Sequence, residues 1–108
     1  MNRPGNDHPL AVLPLAGRLD ASDTADLDRR LREEYEAGAV VLTVDMADVT
    51  YVSSSILRIL LLAHRRQEQR AGALRLLNVS PRILRILTMC GFDRVLDVTP
   101  APGTGRAP

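Results

Sequence analysis

The sequence predicts an α/β fold: a single domain with a mixed β-sheet of about four strands and alternating helices packed on it. Two observations carry that prediction. Short apolar runs rich in β-branched residues alternate with amphipathic segments of ten or more residues, the pattern of strands joined by helical crossovers. The stretch from Val40 to Leu62 holds both kinds of element in succession, with Ser53, Ser54 and Ser55 between them.

Each element follows from local chemistry. Leu10 to Leu15 reads as a short strand, and Pro14 argues for an edge or a strand end. Gly17 to Asp20 reads as a turn, after which Ser22 or Asp23 caps a helix. From Asp23 to Ala37, Leu27, Leu31 and Tyr35 recur every fourth residue and form one apolar stripe. Asp23, Asp26 and Asp28 favour the positive end of that helix, and Gly38 stands where a helix ends. Val40 to Asp45 is the central strand. The segment from about Ser54 is a helix whose first half, through Ala63, is deeply apolar, whereas His64 to Arg70 is expected to emerge into water. Gly72 ends it. Leu74 to Val79 is a strand, and Ser80-Pro81 starts a last helix. Ile83, Leu84, Ile86, Leu87 and Cys90 are its expected buried face, closed by Gly91. Val95 to Val98 adds a final strand, giving the order β-α-β-α-β-α-β.

The domain is expected over residues 10–99, with a loose segment at 1–9 and a Pro/Gly-rich tail at 100–108. At 108 residues and 45% hydrophobic, the chain is one domain with one modest core. A net charge of +1 and only three aromatics, with no basic run, speak against nucleic-acid binding. The longest uninterrupted apolar run, Ile59 to Ala63, is far short of a bilayer span of about 20 residues, so no membrane insertion is expected. The lone Cys90 excludes an intramolecular disulfide. The N-terminus has no apolar signal core, and the expected location is cytoplasmic.

The chemistry concentrates at the three serines. A serine at a helix start can cap a free backbone N–H, and the same position tolerates an anion such as a phosphate. The site is therefore either a cap or a switch. A hydrolase reading fails: His64 lies ten residues beyond Ser54 on one helix, about 15 Å of rise away, and His8 lies in the loose N-terminus. No nucleophile elbow, phosphate loop or metal-spaced Cys/His set occurs. No catalytic residue, metal or cofactor is expected.

Three stretches in this order resemble the STAS domain family, in particular bacterial anti-sigma factor antagonists. Gly17-Arg18-Leu19-Asp20 with Leu27 resembles the family's first turn and helix. Asp45 to Leu57 is similar to the pattern D-L-S-x-V-x-[FY]-[IVM]-D-S-[ST]-G-[LI]. Ser80-Pro81, Leu87 and Gly91-Phe92 resemble the last helix and its end. The resemblance implies a regulatory binding module that docks on an anti-sigma factor with serine-kinase activity and is reset by a phosphatase. It places the phosphoacceptor at Ser54, ahead of Ser53 and Ser55, and the partner-binding rim at Asp20, Asp23, Ser53, Ser55, Ile56 and Arg58. Arg58, four residues beyond Ser54, is within helical reach of a phosphate there and is otherwise a solvated side chain. A homodimer is compatible with the sequence.

Two positions depart from the pattern. Ser53 replaces the family's Asp, keeping the cap without the charge. Ile56 replaces its Gly, filling with a branched side chain the room a partner backbone would use. These departures favour an alternative: a STAS scaffold subunit of a stress-signalling or lipid-transport assembly that is never phosphorylated.

Overall fold

On the second strand Leu42, Val44 and Met46 are buried, while the residues between them, Thr43 and Asp45, face the other way. That period of two sets one side of a sheet against a core. In the computed structural model, which describes residues 10–102, the order is β1 (Leu10–Leu19), α1 (Thr24–Glu36), β2 (Val41–Val52), α2 (Ser54–Glu68), β3 (Ala73–Val79), α3 (Pro81–Met89) and β4 (Asp97–Pro100). The strands lie side by side in chain order, and every pairing is parallel. The sheet is thus wholly parallel among the described residues, where a mixed sheet was expected. Each strand returns through a helix, and that connection brings consecutive strands in pointing the same way.

Right-handed crossovers between sequential neighbours all place their helices on one side of the sheet. The core accordingly forms between that side and the helices. It joins Leu13, Leu15, Leu42, Val44, Leu74 and Leu76 of the strands to Leu27 and Leu31 of α1, Ile56, Leu57 and Leu60 of α2, and Ile83 and Leu87 of α3.

The two strands that reach the serine turn are longer than local patterning indicates. β1 continues beyond Leu15 through the expected Gly17 turn, with register shifts at Pro14/Ala16 and Gly17/Arg18. Gly17 has φ +81, a left-handed conformation at low cost for glycine. β2 runs on past Asp45 because β1 keeps pairing with it up to Leu19↔Val52, long after β3 has parted at Asp45↔Leu77. Residues with only one neighbouring strand, such as Ala47 and Asp48, stay exposed, which blurred the apolar pattern.

Helix ends follow the caps. Gly38 (φ 106) and Gly91 (φ 78) take the left-handed position just beyond α1 and α3. After α2 that role falls to Ala71, at φ 61, rather than to Gly72. Gly72 serves a different need: a Cβ there would lie 1.8 Å from the carbonyl oxygen of Val40.

The second half of α2 does not emerge into water as expected. His64 and Gln67 are buried. The Gln67 amide donates to Ala39 O at 2.8 Å and Val40 O at 2.9 Å. Arg70 donates to Tyr35 O and Ala39 O, both at 2.9 Å, and stacks 3.6 Å from the Tyr35 ring. Arg66 lies 3.8 Å from Asp28. These polar groups bind α2 to α1 and to the chain that follows it, and of Arg65, Arg66 and Arg70 only Arg65 is exposed. Cys90, expected in the core, is exposed; α3 ends at Met89, so Cys90 lies past the last turn that packs. Pro100 belongs to β4 and Ala101 donates to Val79 O at 2.9 Å, so order runs beyond the expected boundary at residue 99. The segment 1–9 and the tail from 103 lie outside the described residues. No helix among the described residues is long and apolar enough to cross a membrane.

Candidate functional site: the serine turn

Two chain turns meet where β1 and β2 end. The Ser53 N–H donates to Leu19 O at 3.0 Å, which fastens the strand-to-helix junction of β2 to the last residue of β1. Immediately beyond Leu19, Asp20 caps a 3-10 turn, Ala21–Asp23. Its carboxylate accepts from the Ser22 N–H at 3.0 Å and the Ser22 hydroxyl at 2.6 Å. The Asp20 N–H in turn donates to the Asp23 carboxylate at 2.9 Å. The pair is a reciprocal capping box. The Ser22 hydroxyl, with the Ser22 backbone N–H behind it, holds the Asp20 carboxyl below its ordinary range. Asp23 therefore caps Asp20, and its own side chain makes no bond to the start of α1.

The three serines divide the work. Ser53 is the N-cap of α2: its Oγ accepts from the Ile56 N–H at 3.3 Å. The same oxygen is 2.9 Å from the Ser55 hydroxyl. Ser54 is the first residue of α2, exposed, and its hydroxyl makes no hydrogen bond to the described residues. Arg58, one turn on, is also exposed and has no ion pair among the described residues.

Ile56 is not a rim residue. It is fully buried, among α2 residues that pack on the sheet. The branched side chain belongs to the core, while Ser54 two residues before it is exposed. Of the remaining expected site residues, Asp20, Asp23, Ser53, Ser54 and Ser55 gather at one end of the sheet, with Arg58 a turn further along α2.

A feature missed in the sequence sits beside them. The Arg18 guanidinium stacks over the Tyr51 ring, 4.0 Å from its centre. Strand register puts the two side by side, Arg18↔Tyr51 being adjacent to Leu19↔Val52. Only the extension of both strands beyond their apolar runs makes them neighbours. Among the described residues no group of three or more His, Cys, Asp or Glu side chains could hold a metal ion.

The family model described as "Mlab, STAS domain" matches residues 6–98. The chain belongs to the STAS domain family. Among relatives, this STAS domain is 27% identical over 85 residues to the anti-sigma-B factor antagonist of Bacillus subtilis, covering 79% of this chain and 77% of that one. Among solved structures, the unphosphorylated anti-sigma factor antagonist SpoIIAA superposes with a TM-score of 0.72 at 22% identity, covering 84% of this chain and 81% of that one. A sulfate transporter family protein from Wolinella succinogenes matches with a TM-score of 0.69 at 20% identity, over 83% of this chain and 75% of that one. These two likenesses show the fold that STAS domains share.

Proposed function

We propose that this STAS domain is a regulatory protein-binding module that docks on an anti-sigma factor with serine-kinase activity. A phosphate on Ser54, removed by a separate phosphatase, switches it off. The observation that carries this reading is the unequal use of the three hydroxyls: those of Ser53 and Ser55 are engaged with each other and with the cap, while Ser54 is exposed and free of such bonds. The burial of Ile56 adds support, because the family glycine's replacement leaves the approach to Ser54 clear.

The physical logic is a change of charge without a change of fold. A phosphate brings up to about two negative charges. At the first residue of a helix it meets the positive end of the helix dipole, so α2 tolerates it. The docking rim of Asp20, Asp23, Ser53, Ser55 and Arg58 would then present a different potential to the partner, which opposes binding to a surface that fits the neutral hydroxyl. The domain performs no catalysis of its own in this reading and acts in the cytoplasm.

Mass spectrometry of the protein isolated from its own cells under growth and stress tests it. The expected result is a phosphate on Ser54 whose occupancy varies with condition. Unmodified peptide across Tyr51 to Arg58 in every condition would overturn the switch.

A second reading, a constitutive STAS scaffold subunit, draws support from the matching family's description and from the loss of the acidic residue at Ser53. It expects a Ser54→Asp chain to retain its partners in the cell, whereas the switch reading expects that substitution to release them.

A further inference from the structure

All-parallel sheets are ordinarily covered on both faces, and among the described residues this one is covered on one. Opposite the helices, strand register aligns three rows: Leu10, Val41 and Ala73; Val12, Thr43, Arg75 and Asp97; Pro14, Asp45 and Leu77. Leu10 and Val12 are 66% and 64% exposed, an unusual state for large apolar strand residues. Among the described residues nothing covers this face. We propose that a second copy of the chain does, the two sheets stacking through their helix-free faces in a weak homodimer.

Three features favour a second copy. First, the face is self-complementary. Its apolar side lies at β1, and its charged side holds one base and one acid, Arg75 and Asp97, paired at 3.0 Å and each about half exposed. In a two-fold interface each surface meets its own equivalent, so Leu10 and Val12 meet apolar neighbours while Arg75 reaches Asp97 of the second copy. A partner of strong single-signed charge would gain nothing from such a balanced pair.

Second, the sheet's edges are closed to the alternative of strand addition. The exposed edge strand β1 carries Pro14, which has no N–H to donate, and two register shifts. The opposite edge, β4, is only four residues long. Prolines, bulges and short strands are how proteins block edge-to-edge pairing, which leaves the face.

Third, its size suits a modest association. Strands about 4.8 Å apart, at about 3.3 Å per residue, give a patch of roughly 20 by 17 Å. That is about 340 Å² a side, well below the roughly 800 Å² a side of stable complexes, so the contact is weak and the dimer forms and dissociates with concentration. The serine turn lies beyond the end of β2, off this face, and remains available in the dimer.

Sedimentation of the full chain from about 10 µM to about 1 mM tests the proposal across the affinities expected of a small interface. A reversible monomer–dimer equilibrium is expected. Val12→Asp should raise its dissociation constant by about tenfold or more, with the circular dichroism spectrum and melting temperature unchanged. Arg75→Asp should weaken the dimer, and the exchange Arg75→Asp with Asp97→Arg should restore it. A chain that stays monomeric throughout overturns the proposal and leaves the face to a different protein. So does a dimer indifferent to both Val12→Asp and the charge reversal.

Discussion

The imidazole Nδ1 of His64 accepts the backbone N–H of Leu74 at 3.1 Å, inside the core. The ring is buried, and its Nε2 lies 3.3 Å from the Glu68 carboxylate on the helix surface. Since Nδ1 accepts, the neutral ring carries its proton on Nε2, directed at Glu68. One side chain thus bonds the last buried turns of α2 to the second residue of β3.

His64→Ala should therefore destabilise the domain by about 2 kcal/mol, the range for a buried N–H left without an acceptor. Urea unfolding measures it. A loss below about 0.5 kcal/mol, the ordinary scatter of surface substitutions, would mean that the N–H finds another acceptor.

Gly72→Ala should be more damaging than its exposure indicates. The added Cβ meets the Val40 carbonyl oxygen at 1.8 Å, and that carbonyl also accepts from Ala73 and Gln67. Backbone must move, for a loss of about 2 kcal/mol or more. At Gly17 the same substitution meets open space, and the obstacle is the φ of +81 alone, a penalty of about 1–2 kcal/mol. Thermal melts of the two variants should rank them in that order.

The serines should separate by function. Ser53→Ala removes the α2 cap and should lower stability by about 1 kcal/mol, as should Ser80→Ala at α3, where Ser80 Oγ accepts from the Ile83 N–H at 3.3 Å. Ser54→Ala should stay within about 0.5 kcal/mol of the parent. Equal losses for Ser53→Ala and Ser54→Ala in urea titrations would make the second hydroxyl structural too.

Acid should loosen the Asp20 turn before it touches the core. The Asp20 carboxyl is lowered from its ordinary 3.8, chiefly by the Ser22 hydroxyl and then by the Ser22 N–H. A group lowered in the folded state contributes stability that is fully present above the unfolded value. That contribution is lost as pH falls from about 3.8 through the folded value. A carboxyl-resolved NMR titration should place Asp20 below an unstructured aspartate and bring it back toward the ordinary value in Ser22→Ala. An Asp20 that titrates at the ordinary value in the parent chain would show that the capping bond does not persist in solution.

Elements whose burial is set locally were legible in the sequence. The Leu27–Leu31 stripe, the apolar first half of α2, the caps at Ser53 and Ser80-Pro81, and the left-handed Gly38 and Gly91 all stand as expected. Residues whose partners are far along the chain were not. Gln67 and Arg70 read as a solvated face, yet their acceptors at Ala39, Val40 and Tyr35 lie between 27 and 35 residues away. The same limit hid the Arg18–Tyr51 stack, which exists only through strand register.

By itself, then, the sequence determined the succession of strands and helices, the family, and the position of three hydroxyls at a helix start, because apolar period and capping chemistry act over a few residues. Tertiary structure decided which hydroxyl stays free, that Ile56 faces inward, and that among the described residues the helices gather on one side of a parallel sheet. Those outcomes depend on how distant segments fill space and satisfy hydrogen bonds together, and one segment's pattern carries no record of its neighbours.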